Sequence, residues 1–247
     1  MYFQYAGTNV FYERREGKKD LLPVVMLHGW GCSHKTLQPI FNYYATKNRT
    51  VIAVDFPPFG KSESPPSTFT IDDYASLVQA LLSAENIETY HLFCHSFGAR
   101  VGAILGQKPN VRTMVITGGA GVKPHFSLAR AIKIRAYKIK KRLGLKMNNV
   151  GSADYKTLSD GMKKVFVSVV NRHLDEEFKN IKCDTLLLWG DRDNQTPLYQ
   201  AKRLKRYIKK SELRVMKGCG HFAFLEDTRM FVSQLNNYYN GVSEWKN

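Results

Sequence analysis

Several features that would place a chain in a special class are missing from this sequence of 247 residues. No apolar run approaches the roughly 20 residues that span a membrane, and neither low-complexity segments nor internal repeats are found. The opening residues, MYFQYAGTNVFYERREGKK, lack the apolar block of a secretory signal and indicate two short alternating strands around Gly7 and Thr8. We therefore expect one globular domain over residues 1–247, located in the cytoplasm and without a transmembrane segment.

Cysteine is also scarce, and its placement argues against two kinds of site. The four cysteines, Cys32, Cys94, Cys183 and Cys219, form no CxxC pair, so we expect free thiols rather than disulfides. No cluster has the spacing of zinc ligands, and Cys219-Gly-His221 is too short a motif to indicate a metal. We predict neither a metal ion nor a cofactor.

Acidic residues are outnumbered, and the excess of positive charge is uneven. The formal net charge is +16, and residues 122–164 hold twelve Lys/Arg against two acids, Asp154 and Asp160. Such a segment is typical of a solvated helical face, but it also suits docking to an acidic carrier protein or contact with an anionic lipid surface. Because no nucleic-acid-binding module is recognised, we expect no nucleic acid partner.

Six short apolar runs alternate with helical patterns along the chain. They are PVVMLH at 23–28, TVIAVD at 50–55, TYHLFC at 89–94, VRTMVIT at 111–117, TLLLW at 185–189 and a final strand at 213–216. Near-continuous Val/Ile/Leu strands are typical of a parallel sheet that is buried on both faces. Helical periodicity lies between them at 71–85, 98–106, 197–207 and 227–239. The pattern predicts an α/β fold, a mostly parallel central sheet with helices on both faces.

One segment interrupts this alternation. About 65 residues separate the fourth and fifth runs, too many for a single crossover. Apolar residues at helical spacing, such as Leu128, Ile132 and Leu143, are interleaved with lysines and arginines, and a second helix is predicted over 152–170. We interpret about 121–165 as a helical lid insertion over the carboxyl edge of the sheet, where open α/β sheets bind ligands.

The motifs that contain side chains able to take part in catalysis all follow predicted strands. In chain order they are HGWG, DFPPFGKS, CHSFG, WGDRDNQTP and GCGHFAFLED. Together they resemble the α/β-hydrolase superfamily from nearly one end of the chain to the other, with the resemblance weakening only in the lid. The order serine, aspartate, histidine is the one that this superfamily uses for its catalytic triad.

The resemblance implies a role for each matching residue. Ser96 would be the nucleophile, His221 the general base and acid, and Asp193 the acid that orients the imidazole. The backbone N–H groups of Trp30 and Phe97 would form the oxyanion hole, and both side chains would also line the substrate pocket.

Some of these positions have competitors. Asp191 lies in the same turn as Asp193. The pattern G-x-x-D of the superfamily that the chain resembles, counted from Gly190, implies Asp193. His28 is expected to be a structural hydrogen-bonding group. His95, beside the nucleophile, is expected to line the substrate pocket rather than to act as a base.

Cys94 occupies the position of the first glycine in the usual G-x-S-x-G turn. It is either a rival nucleophile or a small packing substitute where strand and helix approach each other. Cysteine is small and commonly buried, and as the last strand residue it should point into the interior. We therefore predict an inert thiol and retain Ser96 as the nucleophile.

The resemblance also limits the reaction. The dehalogenases and epoxide hydrolases of the superfamily carry aspartate at the nucleophile position, so Ser96 disfavours them. Closest are small lidded members: carboxylesterases, carbon–carbon bond hydrolases of ring-cleavage products, and the esterase that releases pimeloyl methyl ester from acyl carrier protein. The expected activity is cleavage of a small-molecule carboxylic ester. Carbon–carbon hydrolysis, carrier-linked esters docked through the basic lid, and a non-catalytic ligand receptor are the alternatives.

Overall fold

The computed structural model describes residues 1–66, 68–124 and 160–245, with the backbone alone for Asp160, Gly161 and Glu244. Eight strands of the described chain form one sheet in the order β1-β2-β4-β3-β5-β6-β7-β8. They are β1 (Tyr2–Tyr5), β2 (Thr8–Arg15), β3 (Val24–Leu27), β4 (Val51–Val54), β5 (Tyr90–His95), β6 (Val111–Thr117), β7 (Asp184–Gly190) and β8 (Ser211–Met216).

The sheet is parallel from β4 to β8, and β1 and β2 form an antiparallel edge. Strands β3 to β5 are buried along their whole length. Alternate residues serve opposite faces: Val25 and Leu27 belong to one hydrophobic cluster, and Val24 and Met26 to the other. Because both faces carry a core, β3 and β4 have apolar residues at every position instead of an apolar–polar alternation.

Helices of the described chain cover both faces of the sheet. They are α1 (Gln38–Thr46), α2 (Ile71–Ala84), α3 (Phe97–Leu105), α4 (Asp160–Asn171), α5 (Asp175–Lys179), α6 (Leu198–Tyr207), α7 (Ala223–Glu226) and α8 (Thr228–Asn240), with 3₁₀ turns at His34–Leu37 and Ser243–Trp245. Helix α2 begins at a capping box in which Thr70 and Asp73 satisfy each other's backbone N–H groups. Its apolar face, including Tyr74 and Leu77, packs into the core.

The predicted α/β architecture is confirmed, including all six parallel strands and the alternating pair at the amino terminus. Most of the predicted lid, residues 125–159, lies outside the described residues, and the helix predicted over 152–170 is described from Asp160 onward as α4. None of the helices that the structure describes is long and apolar enough to cross a membrane.

Candidate active site

Ser96 lies at the apex of a sharp turn between β5 and α3. Its backbone has φ 50° and ψ −110°, a conformation that a residue with a side chain rarely adopts. The turn is fixed by hydrogen bonds: the Ser96 N–H donates to Thr117 O over 3.1 Å, and the Ala120 N–H donates to Ser96 O over 3.0 Å. This geometry holds the serine at the carboxyl edge of the sheet, beside a cavity that it lines.

The strained turn depends on close packing between the strands and α3. A β-carbon on Gly98 would lie 2.2 Å from Leu27 O, and one on Gly102 would lie 2.6 Å from Cys94 Sγ. Cys94 is 0% exposed, and burial raises the pKa of its thiol far above the usual range. Its sulfur therefore fills space against Gly102, as an inert packing group does, and is withdrawn from the cavity.

Asp193 and His221 come together from two different loops. Asp193 follows β7 and His221 follows β8, and His221 Nδ1 lies 2.9 Å from Asp193 Oδ2. Thr196 Oγ1 donates to the same carboxylate oxygen over 2.7 Å. The N–H groups of Gln195 and Thr196 donate to the other oxygen over 2.9 and 2.8 Å. Because the carboxylate is an acceptor, His221 carries its proton on Nδ1, which leaves Nε2 free to accept one.

The choice between the two aspartates has a geometric answer in this loop. Asp191 is exposed, and its Oδ1 accepts from the Gly218 N–H over 2.7 Å, so it holds a turn and does not contact His221. Asp193 is buried. Burial alone would raise the pKa of Asp193, but the hydrogen bonds and charge of His221 and the bonds from Thr196 outweigh it and lower the pKa below its usual value. Asp193 is therefore ionised at neutral pH.

A cavity of about 330 Å³ lies above these residues. Ser96, His221, Trp30 and Phe97 all line it. No hydrogen bond from the backbone N–H of Trp30 or Phe97 occurs within the described residues, so both donors are available. The Trp30 ring lies edge-on to Phe97 at 5.5 Å and to Phe166 of α4 at 5.2 Å, which gives the cavity an aromatic wall.

The other two histidines near the turn are held as neutral groups. The Phe56 N–H donates to His28 Nε2 over 2.9 Å, so His28 Nδ1 carries the proton and donates to Gly29 O over 2.7 Å. Burial lowers the pKa of His28 to about 4 and that of His95 to about 3. His95 Nε2 lies 3.2 Å from His221 O, a contact that helps to hold the loop that carries His221.

Some residues of this site were missed in the sequence. Thr196 binds the acid, and Arg100, Phe166 and Gln200 line the cavity. Thr196 follows Asp193 by three residues, a spacing typical of local side-chain turns, and could have been found on that ground. Arg100 and Phe166 carry no comparable signal, because helix α4 approaches α3 only in the folded chain.

Comparisons with known proteins identify the family of this chain. The model of the Alpha/beta hydrolase family matches residues 24–234. AB hydrolase superfamily protein YisY of Bacillus subtilis is 28% identical over 88% of this chain and 91% of its own length. A 2-hydroxy-6-oxo-2,4-heptadienoate hydrolase of Pseudomonas putida is 24% identical over 87% of this chain and 88% of its own.

A solved structure shows the same fold. The esterase EaEST from Exiguobacterium antarcticum superposes with a TM-score of 0.74 at 20% identity, over 94% of this chain and 96% of the other. The family match covers far more than half of the sequence and spans the serine turn, the aspartate loop and the histidine loop. The chain therefore belongs to the Alpha/beta hydrolase family and is a hydrolase.

Proposed function

We propose that the protein is a serine hydrolase that cleaves a carboxylic ester through an acyl-enzyme. The observation that carries the proposal is the buried Asp193–His221 hydrogen bond on the same cavity as Ser96, whose strained backbone exposes its side chain there. A fixed acid, a base with a free Nε2 and a hydroxyl on one cavity are the groups that acyl transfer requires.

The reaction follows from these positions. His221 Nε2 takes the proton of Ser96 as Oγ attacks the ester carbonyl, and the carbonyl oxygen becomes an oxyanion. The N–H groups of Trp30 and Phe97 stabilise that charge, and each such donor is worth about 3–4 kcal/mol in the transition state. His221 then protonates the departing alcohol as the C–O bond breaks. Water, deprotonated by the same imidazole, attacks the acyl-enzyme and releases the acid and Ser96.

Active-site labelling tests the nucleophile directly. A fluorophosphonate reagent should label the wild type and Cys94→Ala, and it should fail to label Ser96→Ala, because Ser96 lines the same cavity as His221 and Cys94 does not. Labelling that persists in Ser96→Ala and disappears in Cys94→Ala would make Cys94 the nucleophile. Absence of labelling in a folded wild type would instead favour a non-catalytic ligand receptor on this fold.

Carbon–carbon bond hydrolysis is the second candidate, because the triad can serve either reaction and a relative from Pseudomonas putida is named as a 2-hydroxy-6-oxo-2,4-heptadienoate hydrolase. A panel of p-nitrophenyl esters of graded chain length, assayed beside a vinylogous diketone, separates the two. We expect the esters to be turned over with the higher kcat/KM. A preference for the diketone would replace the proposal with the carbon–carbon reaction.

A carrier-linked ester is a more specific version of the substrate, and its support is the basic segment in the sequence. Lys138, Lys140 and Lys141, which would form the docking face for an acidic carrier protein or an anionic surface, lie outside the described residues. Changing all three to Glu should weaken turnover of carrier-linked esters and spare small esters. Equal turnover of both by wild type and variant would remove the docking role.

The cytoplasmic location stays a prediction that cell fractionation can check.

A further inference from the structure

The cavity contains a single permanent charge among the described residues that line it. Arg100 lies on α3 four residues after Ser96, which is about one helical turn or 6 Å along the axis. It lines the cavity although only 8% of its surface is exposed, and no Asp or Glu of the described chain lines the cavity with it.

The hydrogen bonds of the Arg100 guanidinium use only one of its three nitrogens. Nη1 donates to Val169 O over 2.8 Å and to Arg172 O over 2.7 Å, two carbonyls at the end of α4. The N–H groups on Nε and Nη2 have no acceptor among the described residues. Neither nitrogen is among the fully enclosed polar atoms that lack a partner, so both retain access to the space around them.

The charge of Arg100 is incompletely balanced. The carbonyls that it binds carry only the partial negative charge of a helix end, and no described carboxylate forms an ion pair with it. Burial lowers the pKa of Arg100 to about 10, so the side chain is still a cation at neutral pH. A buried cation of this kind is normally paired.

We propose that Arg100 binds a carboxylate of the substrate, so that the preferred substrate is an ester that carries a second, ionised carboxyl group. The inference rests on the proposed esterase function and names its substrate class. Nε and Nη2 form one edge of the guanidinium plane, and two parallel N–H groups on that edge match the two oxygens of a carboxylate. The position of Arg100 one turn beyond Ser96 places that group a few methylenes from the reacting carbonyl.

Paired substrates test the proposal. Monomethyl esters of unbranched dicarboxylic acids carry the charge in the acyl group, and acetate esters of ω-hydroxy acids carry it in the alcohol. Each is compared with a neutral ester of the same length. The wild type should prefer one anionic series in kcat/KM, and which series it prefers shows on which side of the ester the carboxylate lies.

Substitution of Arg100 should remove that preference. Arg100→Met should lower the anionic-to-neutral ratio of kcat/KM by about 10- to 100-fold, the range for loss of a hydrogen bond to a charged group. Arg100→Lys should keep part of the preference through its point charge. Arg15→Met, which removes the same charge from an exposed position on β2, should leave the ratio unchanged.

Two results would overturn the proposal. One is a wild type without preference for either anionic series. The other is an Arg100→Met variant that loses activity equally on both members of each pair, since support of α4 alone would not distinguish charge.

A binding measurement distinguishes failure of the carboxylate site from failure of the proposed esterase function. Glutarate and adipate should raise the Tm of wild type and Ser96→Ala, and the rise should be absent in Arg100→Met and retained in Arg15→Met. That pattern would support the carboxylate site even if no ester is turned over, and an unshifted Tm in Ser96→Ala would overturn it.

Discussion

The side chain of Cys94 occupies the space into which a side chain at position 102 would extend, beneath the turn that carries Ser96. A β-carbon on Gly102 would lie 2.6 Å from Cys94 Sγ, well inside van der Waals contact, and Met114 Sδ is the next side-chain sulfur at 4.0 Å. Cys94 is fully buried, so its thiol has little room to withdraw. We predict that Gly102→Ala is destabilising with cysteine at position 94 and stabilising with glycine there.

The magnitudes follow from the two sites. In Gly102→Ala, better helix propensity contributes about 1 kcal/mol, and overpacking against the sulfur costs about 1–3 kcal/mol. Cys94→Gly removes two buried heavy atoms at about 0.8 kcal/mol each and adds about 0.5–1 kcal/mol for glycine in a strand. In the double variant the overpacking disappears, so the two changes should be coupled by about 1–3 kcal/mol in the free energy of unfolding.

Urea unfolding measures this coupling. The three tryptophans of the chain provide the fluorescence signal, and equal m-values across the four proteins validate the comparison. Gly106→Ala in the same region is the matched control, because none of the three atoms nearest to a β-carbon at that position would belong to Cys94. If the single effects of Cys94→Gly and Gly102→Ala add to within about 0.5 kcal/mol in the double variant, the packing explanation for Cys94 is wrong.

Three further predictions concern the acid, the buried histidines and the thiols. Asp193→Asn should lower kcat by about 10³- to 10⁴-fold through loss of the correct imidazole tautomer, whereas Asp191→Asn should retain most of the activity; steady-state kinetics with one ester compares them. The contribution of the buried histidines to the free energy of unfolding should be fully present above about pH 6.5, the pKa of histidine in the unfolded chain. It should decrease as the pH drops toward 4. The reason is that burial lowers the pKa of three histidines, so the unfolded chain binds protons that the folded chain excludes. Those histidines are His28 (to about 4), His91 (to about 3) and His95 (to about 3). Urea midpoints across this pH range measure the effect, and a flat profile would contradict it. Iodoacetamide should alkylate Cys32, which lines the cavity, and should spare Cys94 until the chain unfolds; mass spectrometry of native and unfolded samples locates the adducts.

The strands were predictable because burial on both faces leaves a run that is apolar, short and rich in β-branched residues, which favours a strand over a buried helix. VVML at β3 and VIAV at β4 are apolar at every position, and the structure buries every residue of both. The order of the strands was not predictable, because β3 pairs with both β4 and β5 through contacts that no local pattern encodes. Helix α1, QPIFNYYAT, was missed as well, since its tyrosines are buried residues that do not give a clear apolar period.

The predicted triad positions depended on a different kind of signal, the place of a residue relative to the end of a strand. Parallel strands bring their carboxyl ends to one edge of the sheet, and Ser96, Asp193 and His221 each follow such an end. The bond between His221 and Asp193 also requires β7 and β8 to be neighbours in the sheet, which the structure shows and the local sequence does not encode. The hydrogen bond from Thr196 to the Asp193 carboxylate depends on side-chain directions within a turn. The positions of the strand ends do not predict it.

The sequence predicts the residues that recognise the substrate less well than it predicts the class of reaction, and Arg100 shows why. It stands in the same motif as Ser96, CHSFGAR, where an arginine on a helix would ordinarily face solvent. In the folded chain Arg100 does not face solvent, because carbonyls at the end of helix α4 accept hydrogen bonds from Nη1 and hold the side chain at the cavity. The predicted triad residues follow the ends of strands, whose sequence pattern is local. The residue that we expect to select the substrate acquires its role from a segment some seventy positions away along the chain, and only the folded structure brings that segment to the cavity.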